Sequence, residues 1–188
     1  MPEDQSMQVY NECPVYGNGT VSLKRTAMTD AAELLKCYSD ETAVPFFNSD
    51  NCDGDTFYYS TRERMEQAIR FWDMSYDNKY FVRWTVTLNS TGEKIGTVEM
   101  FRREADDAYN LYGLLRIDLQ GKYETREVIE PILEIANHNF CTCFGVKHIL
   151  TKAVPAARER ILALEKTGYR PLGEKIMGYG SYFCRKGT

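Results

Sequence analysis

Two carboxylates stand inside apolar, strand-like runs rather than in turns: Glu99 in IGTVEMF and Asp118 in LYGLLRIDL. Glu99 falls on the side that carries Ile95, Thr97 and Phe101, where partial burial raises a carboxyl pKa and makes the group a better proton acceptor. A strand carboxylate that faces solvent or pairs with an arginine is the plainer alternative, and Asp118 can equally cap a turn at its strand end. A third feature is the loop PFFNSDNCDGD, residues 45–55. Phe46 and Phe47 can wall an apolar pocket there, and Asp50, Asp53 and Asp55 can attract a cationic amine. A solvated acidic loop over a buried phenylalanine has the same composition. With Gly54 placed sixth, the first and twelfth positions of a calcium-type loop are Ser49 and Ser60, so the required acids are missing. His138, Cys141, Cys143 and His148 lie close in sequence, but their span leaves a helix and enters a strand instead of forming a Cys-x-x-Cys knuckle, and no metal is expected.

The elements that must position these groups can be read from periodicity. Val21 to Thr26 alternates as a strand. Thr29 or Asp30 caps the next helix, with Glu33 closing a capping box if Asp30 is the cap, and its apolar face carries Ala31, Leu34, Leu35 and Tyr38. Thr61 caps a second helix, in which Met65, Ala68, Ile69 and Trp72 share one face. Tyr80, Val82, Trp84, Val86 and Leu88 alternate with polar neighbours, as in a half-buried strand, and NSTGEK turns the chain into a partner strand from Lys94 to Arg103. Leu111 to Leu119 is more continuously apolar, as a central strand should be. A helix from Thr125 to Cys141, a strand from Lys147 to Val154, a helix opened by Pro155 and ended by Gly168, and two short strands complete the chain. The order β-α-α-β-β-β-α-β-α-β-β implies one α/β (α+β) domain over 21–188, preceded by a polar lead-in at 1–20 with a short hairpin around Gly17-Asn18-Gly19.

Bulk properties narrow the function classes. The chain has 188 residues, a net charge of -4 and a pI of about 5.3. A chain of that sign gains nothing from counterion release, so no nucleic-acid partner is expected. No apolar run approaches the roughly 20 residues of a membrane span, and the N-terminal residues lack the pattern of an export signal. Six cysteines are scattered through the chain; without export they should be reduced thiols, and the expected location is the cytoplasm.

This order, with the phrases it contains, resembles the GNAT superfamily of N-acetyltransferases. LALEKTGYRPLG (162–173) resembles the family's "VLEKLGF" helix end and following strand, and LKRTAMTDAAELLKCYSD (23–40) resembles its "LRPLTPEDAEALYELLSDP" opening, as found in the branch that acetylates ribosomal-protein N-termini and small amines. The resemblance covers roughly residues 20–180. It implies a central mixed, twisted sheet of about seven strands with about four helices, acetyl-CoA as co-substrate, and direct transfer to a small-molecule or peptide amine in a ternary complex; a homodimer is compatible with it. In that family a Q/R-x-x-G-x-G/A loop wraps the CoA pyrophosphate with backbone N–H groups at a helix N-terminus. The matching stretch is Gln120, Gly121, Lys122, Tyr123, Glu124 and Thr125, followed by Arg126, with Ile117, Asp118 and Leu119 supplying strand contacts. Glu99 is the first candidate for the base that deprotonates the amine, and Asp118 the second.

The chain departs from the pattern at several positions. Tyr123 replaces a glycine, and Glu124 brings negative charge to the phosphate position, where Lys122 and Arg126 can offset it. Ala157 and Arg160 stand where the family has an asparagine and a small residue, Pro131 interrupts the cofactor helix, and Leu164 replaces the tyrosine that protonates the leaving thiolate. These departures favour an alternative, a binding or regulatory module that has kept the fold and lost the cofactor chemistry. The strand segment and the aromatic–acidic loop favour the enzyme.

Overall fold

Strand alternation becomes a two-sided sheet in the computed structural model, which describes residues 8–187; the first seven residues of the lead-in lie outside the described residues. The elements are β1 (Tyr16–Gly17), β2 (Val21–Arg25), α1 (Ala31–Tyr38), α2 (Arg62–Asp77), β3 (Val82–Leu88), β4 (Lys94–Arg102), β5 (Gly113–Leu119), α3 (Arg126–Phe144), β6 (His148–Lys152), α4 (Arg158–Lys166), β7 (Arg170–Pro171) and β8 (Tyr182–Lys186). They form one eight-stranded sheet in the order β1-β2-β3-β4-β5-β6-β8-β7, in which β5 and β6 are the parallel pair. The eighth strand, beyond the expected seven, is β1, which pairs Tyr16 with Leu23 in the lead-in.

Because side chains alternate across a strand, β3, β4 and β5 carry two different faces. Trp84, Val98, Met100, Leu115, Ile117 and Leu119 pack with Ile129, Ile132, Leu133, Phe140 and Phe144 of α3 in the main core. Trp84 stacks on Phe140 at 4.9 Å. The opposite face lies under α1 and α2, whose Leu34, Tyr38, Met65, Ile69 and Trp72 form a second cluster with Phe47, Phe57 and Tyr59. Burying all of these apolar groups is the main force that holds both helical layers to the sheet.

Local signals fix the helix ends. Thr61 Oγ1 accepts the N–H of Arg64 at 3.2 Å and starts α2. Gly145, at φ 60°, ends α3 in the left-handed region. The expected capping box at Asp30 does not form. Asp30 instead accepts the Ala27 N–H and the Thr85 hydroxyl, at 3.0 and 2.7 Å, while Glu33 reaches Lys94.

Gly96 brings β4 against β5 more closely than any side chain permits. A Cβ at this position would lie 1.9 Å from the Asp118 carbonyl oxygen. Gly96→Ala should therefore lower stability by about 1–3 kcal/mol, the usual range for overpacking, read as an earlier midpoint in urea. An unchanged midpoint would mean that the two strands separate there without cost.

Candidate functional site

The second face of the sheet holds a row of charges. Register places Arg83 opposite Glu99 and Glu99 opposite Arg116, so cation, anion and cation stand side by side on β3, β4 and β5. Arg83 donates to one Glu99 oxygen, and Arg116 donates to the other at 2.7 Å. Two residues further along, on the same face, Thr97 stands opposite Asp118. Arg83 Nη1 donates to Asp118 Oδ2 at 3.0 Å, and the Tyr38 hydroxyl donates to the same oxygen at 2.8 Å. Glu99 and Asp118 are 1% and 0% exposed, so neither meets bulk water.

These neighbours act differently on the two acids. Burial alone would raise the Glu99 carboxyl, but Arg83 and Arg116 outweigh it and hold the pKa below the usual glutamate range. Asp118 is raised by burial, which Arg83 and the Tyr38 hydroxyl only partly offset. A low-pKa carboxylate with both oxygens occupied is a weak proton acceptor. Its surroundings are those of a paired structural acid that sets the positions of two guanidinium groups.

Above this row opens a cavity of about 540 Å³, lined by Phe57, Tyr59, Trp72, Phe81 and Phe101, with Arg83, Glu99 and Arg116 also in its lining and Asp53, Asp55 and Arg64 contributed by α2 and the loop before it. Arg83 lies under the Trp72 ring at 4.2 Å and Arg116 faces Phe101 at 5.5 Å, contacts that strengthen in a desolvated setting. Phe57 has φ 63°, a region that a bulky residue occupies only when its surroundings force it. The acidic loop thus contributes Asp53 and Asp55 to the cavity, but Asp55 is bound to Arg64 and the Tyr59 hydroxyl. Asp50 is turned away to Lys152, at 2.7 Å, and to the Tyr182 hydroxyl. Phe47 is buried against Tyr38, and Phe46 lends its carbonyl to Arg160; neither lines the cavity. Arg83, Phe81 and Trp72 were not expected here. A half-buried strand sends the odd positions of β3 to solvent, yet Arg83 and Thr85 are as buried as Val82 and Trp84.

The expected phosphate loop lies at the end of β5. Strand β5 pairs with β6 only from Gly113 to Leu115, whereas its pairing with β4 runs on to Leu119. Beyond Leu115 the two strands diverge, and Ile117, Asp118, Leu119 and Gln120 are buried beside the opening. Across it Arg160 of α4 donates to both oxygens of Glu124, at 2.6 and 2.7 Å, with the two side chains only 3% and 6% exposed. Arg160 also donates to the Phe46 carbonyl. The Gly121 N–H, which heads the loop, donates to Asp40 at 2.7 Å, and Thr42 packs so closely that a Cβ on Gly121 would meet its hydroxyl at 2.2 Å. The N–H groups of Tyr123, Glu124, Thr125, Val128 and Ile129 donate to carbonyls, and that of Arg126 to Glu159. Tyr123 is half-buried against the main core, its hydroxyl donating to Glu93.

An acyl-CoA diphosphate does not fit these residues as they stand. Most of the donors it would use are occupied, the Gly121 N–H by Asp40, and the carboxylates Asp40, Glu93, Glu124 and Glu159 surround the loop. Lys122 and Arg126, expected to offset Glu124, are matched to Glu93 and Glu159; Arg160 is the partner of Glu124. Of the metal-like set, His148 stacks on Tyr112 at 4.4 Å and Cys143 meets the Tyr16 hydroxyl at 2.8 Å. Among the described residues no three His, Cys, Asp or Glu side chains are grouped to hold a metal ion. Nor is any described helix long and apolar enough to cross a membrane.

No family model matches the sequence, and no curated protein matches it. Solved structures do match in three dimensions. An acetyltransferase of the GNAT family from Bacillus anthracis superposes with a TM-score of 0.67 at 12% identity, covering 92% of this chain and 98% of that one. RimJ from Mycobacterium smegmatis, in complex with CoA-disulfide, gives 0.67 at 13% identity, covering 88% and 81%. The ribosomal-protein-S5-alanine acetyltransferase from Vibrio fischeri gives 0.65 at 12% identity, covering 92% and 96%. At such identities the likeness is one of fold.

Proposed function

We propose that this chain, which has the GNAT fold, serves as a ligand-binding module: it keeps the pocket on the α1–α2 side of the sheet and has closed the acyl-CoA channel with its own side chains. The observation that carries this reading is the Glu124–Arg160 pair, buried and bidentate, lying across the divergence of β5 and β6. Asp40 supports it, since a carboxylate on the Gly121 N–H takes the place of a phosphate oxygen. What remains open is a cavity large enough for a small organic ligand, with aromatic walls and a few convergent charged groups.

A second reading is an acetyl-CoA-dependent N-acetyltransferase acting on a small-molecule or peptide amine. It draws support from the strand divergence and from the acetyltransferases that share the fold. It requires Arg160 and Glu124 to separate and Asp40 to leave Gly121 before a diphosphate can enter.

Thermal unfolding with millimolar acetyl-CoA distinguishes the two readings. The closed channel predicts no change in Tm. A cofactor at a hundred times its Kd would stabilise the native state by about 2.7 kcal/mol, roughly 5–10 °C for a chain of this size. A rise of that order, followed by turnover on any of a panel of amines, would replace the module with the enzyme.

A further inference from the structure

We propose that the cavity takes a small, flat, uncharged aromatic molecule, held by ring contacts and disfavoured when it carries a charge of either sign. The inference rests on the reading of this cavity as a ligand site and names the chemistry that the site selects. Trp72 and Phe57 are buried in its wall, Phe81 and Phe101 are half-buried, and Phe71 and Tyr80 are 53% and 65% exposed. Phe71 and Phe81 stand 6.1 Å apart, tilted by 55°. Single exposed apolar side chains are ordinary on a protein surface. Four incompletely covered rings lining one cavity are not; they form a patch of the kind that marks a binding groove. A flat aromatic guest gains from such walls through offset and edge-to-face contacts, beyond the area that it buries.

The charged groups argue against an ionic guest. Arg64, Arg83 and Arg116 share the lining with Asp53, Asp55 and Glu99, three charges of each sign. Arg64 is bound to Asp55, and Glu99 takes both Arg83 and Arg116. The other bonds of these two guanidinium groups go to Asp118, Thr97 and the Tyr38 hydroxyl, and to the Asp50 carbonyl. Asp118 is a fourth acid, held behind the lining by Arg83 and Tyr38. Asp53 is left; it has no ion partner among the described residues, and it is exposed, so water screens its field. A carboxylate would thus find no free cation among the described residues of the lining, and an ammonium group would find only Asp53. Either would shed its hydration without a buried counter-charge in return, a cost that an uncharged ring escapes. The amine expected from the acidic loop is disfavoured on the same ground, because Asp50 is turned to Lys152 and Asp55 to Arg64.

The test is calorimetric titration of the full chain with naphthalenemethanol, naphthoate and naphthylmethylamine, which share one ring frame, and with decahydronaphthalenemethanol, the puckered, saturated counterpart of the first. Naphthalenemethanol should bind at least about tenfold more tightly than either ion, the effect of stripping water from an uncompensated charge. It should bind roughly threefold to tenfold more tightly than its saturated counterpart, the usual value of aromatic contacts beyond area. Phe71→Ala removes an exposed ring and should leave the protein folded while weakening naphthalenemethanol about threefold or more. Equal or tighter binding of either ion, or of the saturated alcohol, overturns the proposal while leaving the cavity a ligand site. Undiminished affinity in Phe71→Ala also overturns it. Should that variant fail to fold, the ranking of the four probes on the unaltered chain decides. Binding of none of them removes both the proposal and the ligand-site reading.

Discussion

Glu124→Gln is expected to cost the folded state about 3–5 kcal/mol, the usual penalty for leaving one partner of a buried ion pair uncompensated. Arg160 would keep the Phe46 carbonyl, at 3.3 Å, and one neutral amide oxygen in place of the carboxylate. For a chain of this length the loss corresponds to a fall in Tm of roughly 6–20 °C. Replacing both partners tests the cause. Glu124→Leu with Arg160→Met removes the desolvation penalty together with the attraction, and such exchanges are often neutral or stabilising. The double variant should therefore unfold near the wild-type midpoint, and the cycle should give a coupling of several kcal/mol. Urea titrations of the four proteins measure this directly. A loss below about 1 kcal/mol for Glu124→Gln would place the pair in the class of solvent-exposed bridges, and the channel would then be held shut by nothing of consequence.

Glu99→Gln should cost a similar amount, about 3–5 kcal/mol, because it leaves two buried guanidinium groups to share a neutral amide. It should also change how stability depends on acid. The native Glu99 carboxyl titrates below its ordinary value of 4.5, because Arg83 and Arg116 together outweigh the opposing effect of burial. Its contribution is therefore complete above the unfolded value and is lost as pH falls through the lower native one. Asp118 has the opposite sign: its native pKa is raised, so protonation there relieves the fold. The wild type should lose stability more steeply than Glu99→Gln as pH drops below about 4.5, with Asp118 softening the fall in both. Urea midpoints taken across that range supply the comparison. Parallel curves for the two proteins would remove Glu99 from the acid response.

The sheet order was legible in the sequence because alternation and turn residues report local geometry directly. Trp84, Val86 and Leu88 gave β3, NSTGEK gave the hairpin, and the apolar run to Leu119 gave β5. The chemistry was less legible. Arg83 reads as an ordinary polar neighbour in a half-buried strand, and only the register across three strands sets it beside Glu99 and Glu99 beside Arg116. Register depends on pairing partners distant in sequence, which a periodicity does not name. Glu124 and Arg160 were each visible as departures from the family pattern, but their compensation spans 36 residues and two helices. Phe57 and Trp72 similarly meet only after the loop folds back onto α2.

The short parallel contact between β5 and β6 has a mechanical consequence. Three residue pairs join a plate made of β1 to β5 to a smaller plate made of β6, β8 and β7. Among the inner strand pairs the ladder is shortest along this seam, and beyond Leu115 the Arg160–Glu124 pair joins α4 to the loop after β5 instead. Sub-global openings follow such lines of sparse pairing, so the smaller plate should swing before either plate melts.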